Sequence, residues 1–124
     1  MQNEVLSVHE DLDVQVYAVW FNMFPGDSRE RWPAAAMPDP RVVHFWDEDR
    51  AVSEWYGARL AAMNETLVPG SSGVEAPLWD AYLVYGPDAT WTDEPRGLRR
   101  WGRTVLSTKE ALRESVESLA AEQR

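Results

Sequence analysis

The run Val14 to Phe24 (VQVYAVWFNMF) is apolar on both of its alternating faces and ends at Pro25-Gly26-Asp27-Ser28. Val14, Val16, Ala18 and Trp20 share one face, while Tyr17, Val19 and Phe21 share the other. A strand of that kind needs cover on both sides, which suits a central strand in a sheet flanked by helices. The turn that follows predicts a helix start. Asp27 has N-cap chemistry and Glu30, three residues on, completes a capping-box spacing, so a helix is expected from about Ser28. Pro33 is expected to kink it, and Met37-Pro38-Asp39-Pro40 to stop it. The carboxyl end of a strand beside a helix amino terminus is also where α/β proteins place much of their chemistry, because free N–H groups and the helix dipole point there.

Downstream, Val42 to Trp46 reads as a second strand that runs into the charged helix start Asp47-Glu48-Asp49-Arg50. Val52, Tyr56, Leu60 and Met63 then fall at helical spacing up to about Asn64. Leu67 to Leu78 is rich in Gly, Ser and Pro and reads as a loop. Asp80 to Tyr85 forms a third strand closed by Gly86-Pro87-Asp88, and Leu98 to Leu106 an edge strand antiparallel to it. Ser107-Thr108-Lys109-Glu110 is a second capping-box match, with Leu106 and Ala111 as a staple. It opens a last helix with Leu112, Val116 and Leu119 on its buried stripe. The first two strands, joined by a right-handed crossover, are expected to be parallel.

The chain has 124 residues, 44% of them hydrophobic, enough for one core and one domain. Residues 1–13 read as an N-terminal arm or lead-in, and 14–124 as the domain. Seven Trp are expected to dominate core energetics, with some of them lining a surface groove instead. The net charge of −9 disfavours nucleic acid and anionic membrane surfaces as partners. No apolar run approaches the about 20 residues of a membrane span, and no secretory signal is legible at Met1, so a cytoplasmic location is expected. With no Cys there is no disulfide, thiolate ligand or thiol nucleophile.

The strand order β-α-β-α-β-β-α and the segment Phe24 to Pro33 (FPGDSRERWP) resemble the thioredoxin superfamily. An aromatic residue precedes a four-residue turn and a proline follows it by five, as in that family's aromatic, Cys-Gly-Pro-Cys and kinked helix. Gly102 to Leu119 is similar to the family's last strand and helix. The resemblance implies an α/β fold of minimal thioredoxin type, with a four-stranded mixed sheet flanked by helices. On it, Pro25 and Ser28 stand where the two redox sulfurs would be, so thiol-disulfide exchange is excluded. The family's cis-proline has its nearest counterpart at Pro77, whose isomer the sequence leaves open.

The resemblance implies a redox-inactive binding or interaction module that uses the surface of Phe24, Pro25, Gly26, Asp27 and Ser28 together with Trp79 and Asp80. Phe24 and Trp79 are expected to converge into an apolar groove for an unknown protein, a peptide or a small apolar ligand. Two other readings stand beside it: a cysteine-independent enzyme with Asp80 as acid/base, and a dimerising structural protein with exposed Trp at its interface. No metal or cofactor is expected. His9 and His44 lie apart in sequence, and Asp47-Glu48-Asp49 lacks the spacing of a calcium loop. His44 reads as a packed strand residue, and Arg96, Arg99, Arg100 and Arg103 as protection of an edge strand.

Overall fold

The Val14 run forms β1 (Val16–Trp20), which pairs in parallel with β2 (Val42–Trp46) in the register Val16 to Val42 through Trp20 to Trp46. The computed structural model describes residues 1–67, 78–93, 95–103 and 105–123, with the side chains of residues 4 and 60–67 left aside. The parallel pairing read from the sequence is present, but the α-helix expected in the crossover is not. Arg29–Arg31 and Ala34–Ala36 form two single 3-10 turns. Only seven residues separate Pro25 from Pro33, too few to repay helix nucleation. Trp32, held extended before Pro33 at ψ 143°, breaks the segment instead of kinking it.

That missing helix leaves a mark on the sheet. Val16, Ala18, Trp20, Val42, His44 and Trp46 turn inward, whereas Tyr17, Val19, Val43 and Phe45 form an exposed outer face. Tyr17 is 65% and Phe45 49% exposed, with their ring centroids 6.1 Å apart across the pair.

Helix α1 (Ala51–Leu67) starts where the charged run predicts. Asp47 caps it, with Oδ1 accepting the Ala51 N–H at 2.9 Å and Oδ2 the Val52 N–H at 2.9 Å. Its buried side is not the expected one, because Val52 is exposed while Ser53 and Gly57 are buried. The loop read at Leu67 to Leu78 and the Pro77 isomer lie outside the described residues apart from the loop's two ends.

β3 (Ala81–Trp91) and β4 (Pro95–Arg103) pair antiparallel. β3 runs through Gly86-Pro87-Asp88 instead of ending there. Pro87 has no N–H for the ladder, so the strand bulges between the pairs Tyr85 to Leu98 and Thr90 to Arg96 and then resumes. Gly97 accommodates the bulge with φ +91°. Helix α2 (Lys109–Glu122) buries Leu112, Val116 and Ala120, with Leu119 partly buried against them. Thr108, at its N-cap, makes no side-chain cap bond, and Leu106 is exposed, so the staple does not form.

The four-stranded mixed sheet is a correction: the strands form two separate two-stranded sheets, β1 with β2 and β3 with β4. The chain is α/β, but not with the sheet a thioredoxin-like order implies. Leu78, just before β3, donates its N–H to the Ser53 carbonyl of α1 at 2.9 Å, which ties the entry of β3 to the helix. Lateral growth of a sheet also requires cover on the added faces, and the crossover has no helix to supply it.

The core is aliphatic. Val5, Leu12, Val84, Leu112, Val116 and Ala120 cluster together, and Leu6 is 1% exposed, whereas of the seven Trp expected to dominate the core, Trp20, Trp46 and Trp101 are only half-buried. Indole rings are large and carry an N–H that wants a partner, so they settle at boundaries. Residues 1–13, read from sequence as an arm or lead-in, supply three of these buried side chains, two of them from a π-helical turn at Gln2–Leu6.

Arg41 fastens that segment to the rest. Its Nη1 donates to the carbonyls of His9 (2.7 Å) and Leu12 (3.1 Å), and its Nη2 to that of Leu6 (2.8 Å). Nε and Nη2 also hold the Asp39 carboxylate at 3.0 and 2.8 Å. At the other end of the segment, the Gln123 side chain, just after α2, brackets the Asp13 backbone, donating to its carbonyl at 2.9 Å and accepting its N–H at 3.3 Å.

Candidate functional site

Phe24-Pro25-Gly26-Asp27 closes as a tight turn, with the Asp27 N–H donating to the Phe24 carbonyl at 3.1 Å. Gly26 has φ +92°, which fits the third position of a type II turn with proline before it. The Asp27 carboxylate points back into this turn and does not cap a helix. Its Oδ2 accepts the N–H groups of Met23 (3.0 Å) and Phe24 (2.8 Å). The capping role expected of Asp27 is therefore corrected: with no α-helix after it, the nearest free amides are those before it. The Glu30 carboxyl is held below its ordinary value, first by its own backbone amide and then by the Ser28 hydroxyl.

Beside this turn lies a groove of about 240 Å³ at the carboxyl ends of β1 and β2. Phe24, Asp27 and Ser28 line it, with Pro25 and Gly26 in the adjoining turn. Its walls are aromatic, built from Trp20, Phe21, Trp32 and Trp46, and Met23, Arg31 and Pro33 complete it. Trp20 and Trp46 are register partners on one face of the parallel pair, so the strand pairing itself places two indoles side by side.

His44 touches two of these walls, Trp20 and Trp32. Trp20 Nε1–H donates to His44 Nδ1 at 2.9 Å, which makes Nδ1 the acceptor and leaves the proton on Nε2. Nε2–H then donates to the Met37 carbonyl at 3.1 Å. The imidazole is stacked on Trp20 at 6.1 Å and meets Trp32 edge-on at 5.8 Å. Indole, imidazole and the chain after the second 3-10 turn thus form one hydrogen-bonded array. His44→Phe keeps a ring but removes the acceptor, leaving the Trp20 N–H without a partner. A loss of about 1–2 kcal/mol and a shifted tryptophan emission are expected in denaturant unfolding followed by fluorescence.

Trp79 and Asp80 are not among the residues lining this groove. They lie at the entry to β3, where Trp79 faces the Arg103 guanidinium at 5.9 Å. Asp80, exposed and at φ +48°, accepts the Val105 N–H through Oδ1 at 3.2 Å. Its carboxylate holds the chain between β4 and α2. Both ring nitrogens of His44 are engaged, so it offers Ser28 no base, while His9 Nε2 is buried without a partner among the described residues. No group of three His, Asp or Glu side chains among the described residues is placed to hold a metal ion. No described helix is long and apolar enough to cross a membrane.

The basic cluster of β4 is largely occupied by acids of the chain. Arg99 pairs with Asp88 and Glu122 at 3.2 Å each, and Arg100 reaches Glu114 at 3.8 Å. A second polar contact is buried elsewhere: the hydroxyls of Tyr56 in α1 and Tyr85 in β3 lie 2.9 Å apart. Burial pushes both phenols up, helped at Tyr85 by the hydrogen bond to Tyr56. Their contribution is complete below the unfolded value of about 10 and is lost as pH rises through the folded values. Urea midpoints are therefore expected to fall above about pH 10, and less steeply in Tyr85→Phe.

Sequence reasoning reached Phe24 to Ser28 through the turn but missed Trp32, Arg31 and the role of His44. Alternation along the two strands does put Trp20, His44 and Trp46 on one face, a signal that was there to be read. Set against protein-family models, curated proteins and solved structures, the chain matches none of them.

Proposed function

We propose that this protein is a binding module whose site is the aromatic groove beside the Phe24 to Asp27 turn. The observation that carries the reading is a concave surface of about 240 Å³ walled by three indoles, one of them held in place by the Trp20 to His44 to Met37 hydrogen-bond chain. Preset aromatic walls with a few polar groups are the usual make-up of a small-ligand site. The thioredoxin-like sequence pattern adds that, in that family, the corresponding turn faces the partner, and a chain without sulfur retains only recognition there.

The size favours one ring system over a drug-sized molecule, since ligand pockets usually span about 300–1,000 Å³. A library of ring-bearing fragments screened by ligand-observed NMR tests the reading. Fragments that bind the native protein and lose binding in Trp32→Ala are the expected result. A screen without a Trp32-dependent binder removes the proposal.

A second reading, self-association, is favoured by the bare outer face of β1 and β2. Parallel pairs are ordinarily covered on both faces, and two copies meeting through Tyr17 and Phe45 would cover each other. Sedimentation at rising concentration then gives a dimer mass that Phe45→Lys returns to monomer. A monomer throughout eliminates it.

A further inference from the structure

We infer that the ligand of the groove is a small aromatic carboxylate, its ring between the indoles and its anion on Arg31. This rests on the groove being a binding site, as proposed above, and adds the charge of what it takes.

The argument begins with how the chain uses its arginines. In a protein of net charge −9, a guanidinium has many carboxylates to choose from. Arg41, Arg99, Arg100 and Arg113 each pair with acids of the chain. Arg50 donates to the Asn22 carbonyl at 2.6 Å, while Arg29, Arg59 and Arg103 lie over indole rings. Arg31 lines the groove and, among the described residues, its side chain has no carboxylate, carbonyl or ring partner.

Asp27, the acid that also lines the groove, does not neutralise it. One of its oxygens is taken by the Met23 and Phe24 amides, and no ion pair joins it to Arg31. The groove therefore presents aromatic walls and, beside the amide-bound carboxylate of Asp27, a planar, two-pronged cation that pairs with no acid among the described residues. A carboxylate matches that fork in geometry as well as in charge. The volume leaves room for a ring system and a short acid arm, not for a folded partner.

The test uses the full ¹⁵N-labelled chain and three probes of one shape: phenylacetate, phenylacetamide and phenethylamine. Binding is read from the indole N–H resonances of Trp32 and Trp46, in the native protein and in Arg31→Met. Phenylacetate is expected to bind about tenfold more tightly than the amide, with the amine weakest. Arg31→Met should bring the acid to the affinity of the amide and leave the amide unchanged, which also checks that the variant folds. Equal affinity of acid and amide, or an acid affinity indifferent to Arg31→Met, overturns the inference while the groove stands as a site. The amine binding most tightly overturns it in favour of a cation-binding aromatic cage. If no probe moves the groove indoles at up to about 10 mM, far into the weak range, the inference and the groove reading fall together.

Discussion

Arg41→Ala is expected to cost about 3 kcal/mol of stability, because it strips one guanidinium of five hydrogen bonds and leaves the acceptors with nothing to replace it. Three of those acceptors are carbonyls of the segment that carries Leu6 and Leu12 into the core. The fourth partner, Asp39, is left as a carboxylate only 12% exposed. Arg41→Lys should recover little, since an ammonium cannot reach the carbonyls and hold the carboxylate at once. The pH dependence gives an independent reading. The Arg41 guanidinium, aided by the Arg41 amide, holds the Asp39 carboxyl down to about 2 from 3.8. A depressed folded value means a contribution that is complete above the unfolded value and is lost as pH falls through the folded one. Urea midpoints of the native protein should therefore drop between about pH 4 and pH 2 by a margin that Asp39→Asn lacks. An Arg41→Ala variant within about 1 kcal/mol of the native chain would mean that the first thirteen residues are held by their apolar side chains alone.

The second large effect is expected at Gly97. Its φ of +91° disfavours any L side chain, and a Cβ there would stand 2.9 Å from the Ala89 Cα, which is backbone and cannot swing aside. Gly97→Val combines the two penalties, with a β-branched side chain in that region of backbone space, and should cost roughly 2 to 4 kcal/mol. Gly86 supplies the control. A Cβ there would meet the Arg99 guanidinium at 2.6 Å, but that is the far end of a flexible side chain, and Gly86 does not need a positive φ. Gly97→Ala is therefore expected to lose clearly more stability than Gly86→Ala in matched denaturant titrations. Equal losses would mean that side-chain crowding, rather than the backbone of the bulge, sets the cost.

Where local pattern and tertiary demand agreed, the fold was legible. The two parallel strands announce themselves as short apolar runs, and the last helix by Leu112 and Val116 at helical spacing. The first helix failed because its signals were equivocal. Asp27 followed by Glu30 marks a cap only if a helix can propagate, and Pro25 and Pro33 bound a segment too short for that. The same carboxylate serves a turn equally well, which is what it does with the Met23 and Phe24 amides. The N-terminal segment was opaque for another reason. Val5, Leu6 and Leu12 follow neither the helical nor the strand period, and their burial depends on Arg41 and Gln123, far away in sequence.

The candidate site divides along the same line. The turn from Phe24 to Ser28 was visible because glycine and proline carry their geometry with them. Trp79 and Asp80 were grouped with it by analogy to a single sheet, and the two sheets separate them from the groove.

By itself the sequence determined that this chain has no thiol chemistry, that it carries net negative charge, and that a proline-glycine turn follows the first strand by a few residues. These are properties of composition and of nearest neighbours, and no fold can undo them. Only the tertiary structure decided which strands share a sheet, that the N-terminal segment belongs to the core, and that Arg31 alone among the described arginines of an acidic protein faces an aromatic groove without a partner. Those outcomes rest on contacts between residues distant along the chain, where every arginine starts with the same chemistry and the packing around it selects which one stays free.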